Sequence, residues 1–167
     1  LLLPPLMAWG QKDKDKGKAI QSLGTKQAHY TDVAKQIWGF AEMGYLEEKS
    51  SALLQGELSK AGFEIEKGVA GIPTAFIATY GSGKPIIGIL GEFDALPGLS
   101  QEAFVPERKA ILEGAPGHGC GHNLFGTGSL AAAVEVKNWL AQNKVPGTIR
   151  FYGTPAEEAG DAKVVMV

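Results

Sequence analysis

Ile86-Ile87-Gly88-Ile89-Leu90-Gly91, followed at once by Glu92-Phe93-Asp94-Ala95-Leu96-Pro97-Gly98, is the stretch whose reading decides the fold. A nearly continuous apolar run, led in by the turn Gly81-Ser82-Gly83-Lys84-Pro85, is the pattern of a strand buried on both faces. It predicts a central strand. Where that strand gives way to a loop, the chain places the carboxylates of Glu92 and Asp94.

Upstream, Ala28, Val33, Ala34, Ile37, Trp38 and Ala41 recur at helical spacing, which predicts an amphipathic helix over about 25–41. A second helix is expected from near Glu47, stopped by Gly62. Residues 63–69 and 74–80 are rich in β-formers and read as strands. Downstream, Leu130, Ala131, Val134, Val136 and Leu140 mark a helix over 127–143. Thr148-Ile149-Arg150-Phe151-Tyr152-Gly153 is a further short strand and runs into Thr154-Pro155-Ala156-Glu157-Glu158. Strand, loop, helix and strand in that order argue for an α/β sheet with at least one parallel pair.

The loop before the 127–143 helix reads Gly117-His118-Gly119-Cys120-Gly121-His122-Asn123. In an extended backbone residues 118, 120 and 122 share one side, and thiolate and imidazole are zinc-type ligands. Taken alone, the same run is equally a glycine-rich loop with a small apolar cysteine and surface histidines. Its surroundings favour the metal. In open α/β sheets ligands collect at the carboxyl ends of the strands, and Asp94 and the Glu157-Glu158 pair both fall just past strands. Adjacent glutamates in extended backbone point apart, so one can bind metal while the other faces substrate. A carboxylate beside metal-activated water can take its proton and return it to a leaving amine, the water's pKa being lowered from ~15.7 to about 7. By themselves Glu157 and Glu158 would only favour a following helix N-terminus.

The 167 residues are 44% hydrophobic and 20% charged, a composition that can bury one core. A net charge of -2 offers no basic stripe for nucleic acid. The single cysteine excludes an internal disulfide. Residues 1–10 form an apolar run too short to span a bilayer, so no stable membrane anchor is expected. The run resembles the end of a secretory signal, with Ala8 and Gly10 as small residues before a cut, and implies export to a bacterial periplasm. Without such a signal the location would be cytoplasmic. Residues 11–24, where Lys and Asp alternate, read as a charged linker, and 25–167 as the folded domain.

Three stretches in order, 91–98, 117–123 and 153–158, resemble signatures of the metallo-amidohydrolases related to aminoacylases (clan MH metallopeptidases). The wording of residues 114–123 is similar to that of aminobenzoyl-glutamate hydrolases, with indole-acetyl-amino-acid and hippurate hydrolases as more distant relatives. The resemblance runs from about Lys26 onward and includes Ala41-Glu42-Met43-Gly44-Tyr45. It implies a zinc-peptidase-like catalytic domain, with a mixed sheet flanked by helices, that uses two divalent ions, Mn2+ or Zn2+, to cleave the amide of an N-acyl amino acid, an aminobenzoyl-glutamate or a dipeptide-like substrate. By position, Cys120, His122 and Glu158 match metal ligands and Glu157 matches the general base. Asp94 matches an acidic residue that orients a ligand. Glu92 stands where this branch more often has Asp, and neither it nor His118 receives a role. The family continues with further histidine ligands and a lid or dimerisation domain, whereas here no histidine follows His122. The expectation is an N-terminal part, inactive alone, whose homodimer would form through the lid.

Two other chemistries compete with this one. Cys120 could be a nucleophile with His118 or His122 as base, which leaves Glu157 and Glu158 idle. Alternatively, the glycine-rich loop could hold an anion on backbone N–H groups, although no Gly-Lys-Ser or Gly-Lys-Thr follows it.

Overall fold

A computed structural model describes residues 6–158 and 160–167, with side chains from Lys14 onward. Four strands form one mixed sheet in the order β1-β2-β4-β3. They are β1 (Glu64–Lys67), β2 (Phe76–Ser82), β3 (Ile86–Gly91) and β4 (Gly147–Gly153). β3 and β4 are parallel, with Ile87 opposite Ile149 and Ile89 opposite Phe151, whereas β2 runs antiparallel to β4. The crossover from β3 to β4 carries α4 (His122–Asn143). This is the connection a parallel pair requires.

The core is built where α3 (Glu48–Lys60) and α4 lay their apolar stripes on the sheet and α2 (Gln27–Phe40) packs against both of these helices. Val33 and Ile37, Leu54 and Leu58, and Leu130 and Ala133 meet Phe76, Ala78, Ile149 and Phe151 from the strands. The Phe76 ring stacks on Phe151 at 5.7 Å and on Phe93 at 6.3 Å. Phe93 lies between Glu92 and Asp94, so its burial seats the acid-bearing loop on the core.

Two expectations change. β3 is paired only with β4 among the described strands, and Ile86, Ile87 and Leu90 are about half exposed. The inner positions belong to β2 and β4, and alternate residues of β4, Ile149 and Phe151, are fully buried. An apolar run signals a strand without fixing its neighbours. In addition, residues 11–24 are helical, part of α1 (Leu6–Thr25), where a charged linker was expected. This helix is tied to α4 by Asp15, which accepts a bond from the Trp139 indole (3.0 Å), and by Ser22, which donates to Glu135 (3.1 Å). Of the signal-like run, residues 1–5 lie outside the described residues. Among the described residues, no helix is long and apolar enough to cross a membrane.

α4 begins five residues earlier than its apolar stripe suggested, at His122. This sets a histidine in the first turn, directly over the end of β3. The approach is close. A Cβ on Gly126 would stand 2.5 Å from the Glu92 carbonyl oxygen, whereas one on Gly128 would meet nothing. Gly126→Ala is therefore expected to destabilise by about 1–3 kcal/mol through overpacking. Gly128→Ala should stabilise by up to ~1 kcal/mol through helix propensity. Urea unfolding of both variants checks this, and shifts of the same sign would contradict the packing.

Candidate metal centre

The carboxyl ends of β3 and β4 lie side by side, with Gly91 opposite Gly153, and each continues into an acid-bearing loop. The first loop carries Glu92 and Asp94. The second carries Glu157 and Glu158, and the first turn of α4 brings His122 between them.

Asp94 is almost fully buried and has two partners. Its Oδ1 accepts a bond from His122 Nδ1 (2.9 Å) and its Oδ2 accepts the Glu158 backbone N–H (2.9 Å). Burial alone would raise this carboxyl, but the bonds from His122 and from the Glu158 backbone outweigh it and hold the group below its usual range. Its hydrogen bond correspondingly raises His122, against the opposing effect of burial. With Nδ1 committed to Asp94, Nε2 is the atom His122 presents to the site.

Three carboxylates gather around that nitrogen. Glu92 Oε2 is 3.0 Å away, Glu157 Oε2 3.7 Å and Glu158 Oε1 3.8 Å. Ligand atoms of Cys120, His122 and Glu158 all lie within 4.8 Å of one another, and so do those of Glu92, His122 and Glu157. Glu158 Oε1 is buried without a hydrogen-bond partner, and a bound cation would satisfy it. The Cys120 thiol is raised above its ordinary range, first by the adjoining Glu158 carboxylate and then by the negative charge of Glu157 and Glu92. A divalent ion would reverse that balance, because it stabilises the thiolate and neutralises the carboxylates together. The donor set of sulfur, imidazole and carboxylate fits a divalent transition-metal cation.

The expected residues are thus brought together, by a different local geometry. The 117–123 run is not extended: it bends at Gly119-Cys120 and enters α4 at His122. His118 turns away from the site, bonding the Ile37 carbonyl through Nε2 (3.1 Å), and burial lowers its basicity. Nor do Glu157 and Glu158 point apart as extended backbone would make them. Ala156 is left-handed (φ 52°) and a turn follows, so both carboxylates face the same histidine nitrogen. Glu157 is 40% exposed and Glu158 16%, which keeps the former open to solvent.

Nothing in the sequence motifs gives Glu92 a role or points to Lys163. The Lys163 ammonium pairs with Glu92 Oε1 at 2.6 Å while Glu92 Oε2 reaches His122. The alternation Glu92-Phe93-Asp94 at a strand end was the available signal, since it sets both acids on one side and the phenyl ring on the other.

Parallel strands ending in acids, with a Cys/His turn opening the crossover helix, gather side chains of the metal-ligating type at one edge of the sheet. Residues 88–166 match the model of peptidase family M20/M25/M40. The chain is 51% identical over 138 residues to a subunit of the p-aminobenzoyl-glutamate hydrolase of Escherichia coli (strain K12), covering 83% of this chain and 29% of that protein. It is 34% identical over 129 residues to an IAA-amino acid hydrolase of Arabidopsis thaliana, covering 77% and 28%. The fold matches a dinuclear metal binding peptidase of Bacillus subtilis with a TM-score of 0.62, at 22% identity and over 81% of this chain and 36% of that one. The aminobenzoyl-glutamate utilization protein of Klebsiella pneumoniae matches at 0.60, with 18% identity and coverage of 84% and 40%. The chain is similar to members of peptidase family M20/M25/M40, with the family match falling in its C-terminal half. It spans about a third of the length of the curated relatives it matches (29%, 34% and 32% for three of them).

If Asp94 clamps the two loops, Asp94→Ala should speed hydrogen exchange at the Glu158 amide by tenfold or more. Mass-spectrometric or NMR exchange reads this, and an unchanged rate would show that the amide is protected by something else.

Proposed function

We propose that this domain belongs to a metal-dependent amidohydrolase that cleaves the amide of an N-acyl amino acid or an aminobenzoyl-glutamate-like substrate. The observation that carries the reading is the convergence of Cys120, His122 and Glu158 within 4.8 Å, with Glu157 beside them. Cys120, His122 and Glu158 would hold one divalent ion, and Glu92, adjoining His122, is available to a second. When bound, such ions act as Lewis acids that lower the pKa of water and polarise a carbonyl. Thiolate ligation favours Zn2+, while the carboxylates admit Mn2+.

The other steps belong to the protein's own groups. Glu157, the most exposed of the acids around His122, takes a proton from the attacking water. The same carboxyl then gives that proton to the nitrogen of the leaving amine, so that the amide C–N bond breaks as the new C–O bond is kept. Asp94 holds His122 in the tautomer that leaves Nε2 free to ligate. The names of the similar proteins, p-aminobenzoyl-glutamate hydrolase and IAA-amino acid hydrolase, support the substrate class. Association with a further polypeptide belongs to the same reading.

The competing chemistries have less behind them. A nucleophilic cysteine needs a lowered thiol pKa, and the acids around Cys120 raise it. An anion at the start of α4 would face Glu92, Glu157 and Glu158 together.

In the full-length protein, hydrolysis of aminobenzoyl-glutamate and of N-acyl amino acids should be abolished by chelator and restored by Zn2+ or Mn2+. Glu157→Gln should lower kcat by about 10²–10⁴-fold while the bound metal is retained. Chelator-resistant cleavage, or a Glu157→Gln enzyme of wild-type kcat, would contradict the proposal.

A further inference from the structure

Glu47 is fully buried, yet it lies outside the cluster just described. It sits at the N-cap of α3, a place where a glutamate is ordinarily solvated, and its side chain does not cap that helix. Glu42 does so instead, accepting the N–H groups of Lys49 (3.0 Å) and Ser50 (2.9 Å). Glu47 points inward. Its Oε1 accepts the Ala156 N–H at 2.7 Å and its Oε2 accepts the Thr74 hydroxyl at 3.1 Å. Burial pushes the Glu47 carboxyl up, against the bonds it receives. Such a group is retained at a cost in solvation, and the bonds it makes are specific.

The residue it holds matters more than the bond itself. Ala156 is buried and left-handed at φ 52°, a conformation a non-glycine residue keeps only when its surroundings enforce it. That turn is what brings Glu157 and Glu158 to the same side of the strand end. The same short segment also supports the other acid loop: the Glu42 carbonyl accepts the Ala95 N–H at 2.8 Å, next to Asp94. Gly44 lies against Ala156, where a Cβ would be 2.9 Å from the Ala156 Cβ and 3.0 Å from its Cα. Residues 42–47 thus touch the backbone beside each acid pair.

We infer that Glu47 is a positioning residue for the metal centre: its buried carboxylate fixes the Ala156 turn and so aims Glu157 and Glu158. The inference rests on the metal reading for its consequence, and on the geometry alone for its mechanism. Glu47→Ala removes the acceptor. Glu47→Gln keeps it, because Oε1 can still receive the Ala156 N–H while Nε2 donates to the Thr74 hydroxyl. Ser51→Ala is the control, since it loses the bond from Ser51 Oγ to the Thr74 carbonyl (2.8 Å) in the same buried brace without touching Ala156.

Co2+ titration of the full-length protein reads affinity and the thiolate-to-cobalt absorption band, and amide exchange at Ala156 reads the turn without any metal. Glu47→Ala is expected to weaken Co2+ binding by about 10–100-fold and to alter the band, with Ala156 exchange at least tenfold faster. Glu47→Gln should stay within about threefold of wild type, and Ser51→Ala should lose thermal stability with binding unchanged. Should Glu47→Ala fail to fold, Gly44→Ala displaces Ala156 from the other side and is expected to weaken Co2+ in the same range. Wild-type binding in whichever of these two variants folds would overturn the inference, as would equal losses in Ser51→Ala and Glu47→Ala. A wild-type protein that binds no Co2+ through its thiolate sinks the metal reading instead, and Ala156 exchange in Glu47→Ala then decides this inference: unchanged exchange overturns it.

Discussion

The Asp94 carboxylate is the constraint on which the rest of the site depends. Its two oxygens are divided between a side chain on the crossover helix and a backbone N–H in the loop after β4, so one buried group joins three segments far apart in sequence. Neither bond is exchangeable for water, because Asp94 is almost fully buried. Buried charge is costly unless it is fully paired, and here the pairing is what sets His122 Nε2 and the Glu158 carboxylate facing each other.

The sheet supplies the footing for that arrangement. Parallel β3 and β4 end level with each other at Gly91 and Gly153, which delivers both acid loops to one edge. The glycines there admit the rings of Phe151 and Phe76, and those rings with Phe93 make the floor beneath the acids. Packing and chemistry are therefore coupled through Phe93, whose flanking residues are Glu92 and Asp94. Electrostatics works in the opposite direction. Three glutamates near one histidine nitrogen repel one another, and only part of that charge is offset by Lys163. A site so arranged gains from a divalent cation far more than a dispersed acidic surface would.

Much of this was legible in the sequence, for identifiable reasons. The strands β2, β3 and β4 and the helices α2, α3 and α4 follow from periodicity and from Gly62 and the Gly81–Pro85 turn, because local pattern decides element type. Asp94, Cys120, His122, Glu157 and Glu158 were visible as polar residues at strand ends and in a Cys/His run. Strand order was not legible: the apolar stretch of β3 looked like the centre of the sheet, and inner position depends on partners that no local pattern names. The turn at Ala156 was hidden as well, since a left-handed alanine leaves no mark in composition. Glu47 was hidden as well, being a glutamate in an unremarkable charged stretch whose importance comes from tertiary contacts with Thr74 and, 109 residues away, with Ala156.

The proposed metal centre requires that Cys120, His122 and Glu158 hold a divalent ion together. X-ray absorption of the zinc-loaded full-length protein tests it most directly. One sulfur scatterer at about 2.3 Å is expected alongside imidazole and carboxylate at about 2.0–2.2 Å, with the sulfur signal lost in Cys120→Ser. A zinc shell with no sulfur in the wild-type protein would contradict it.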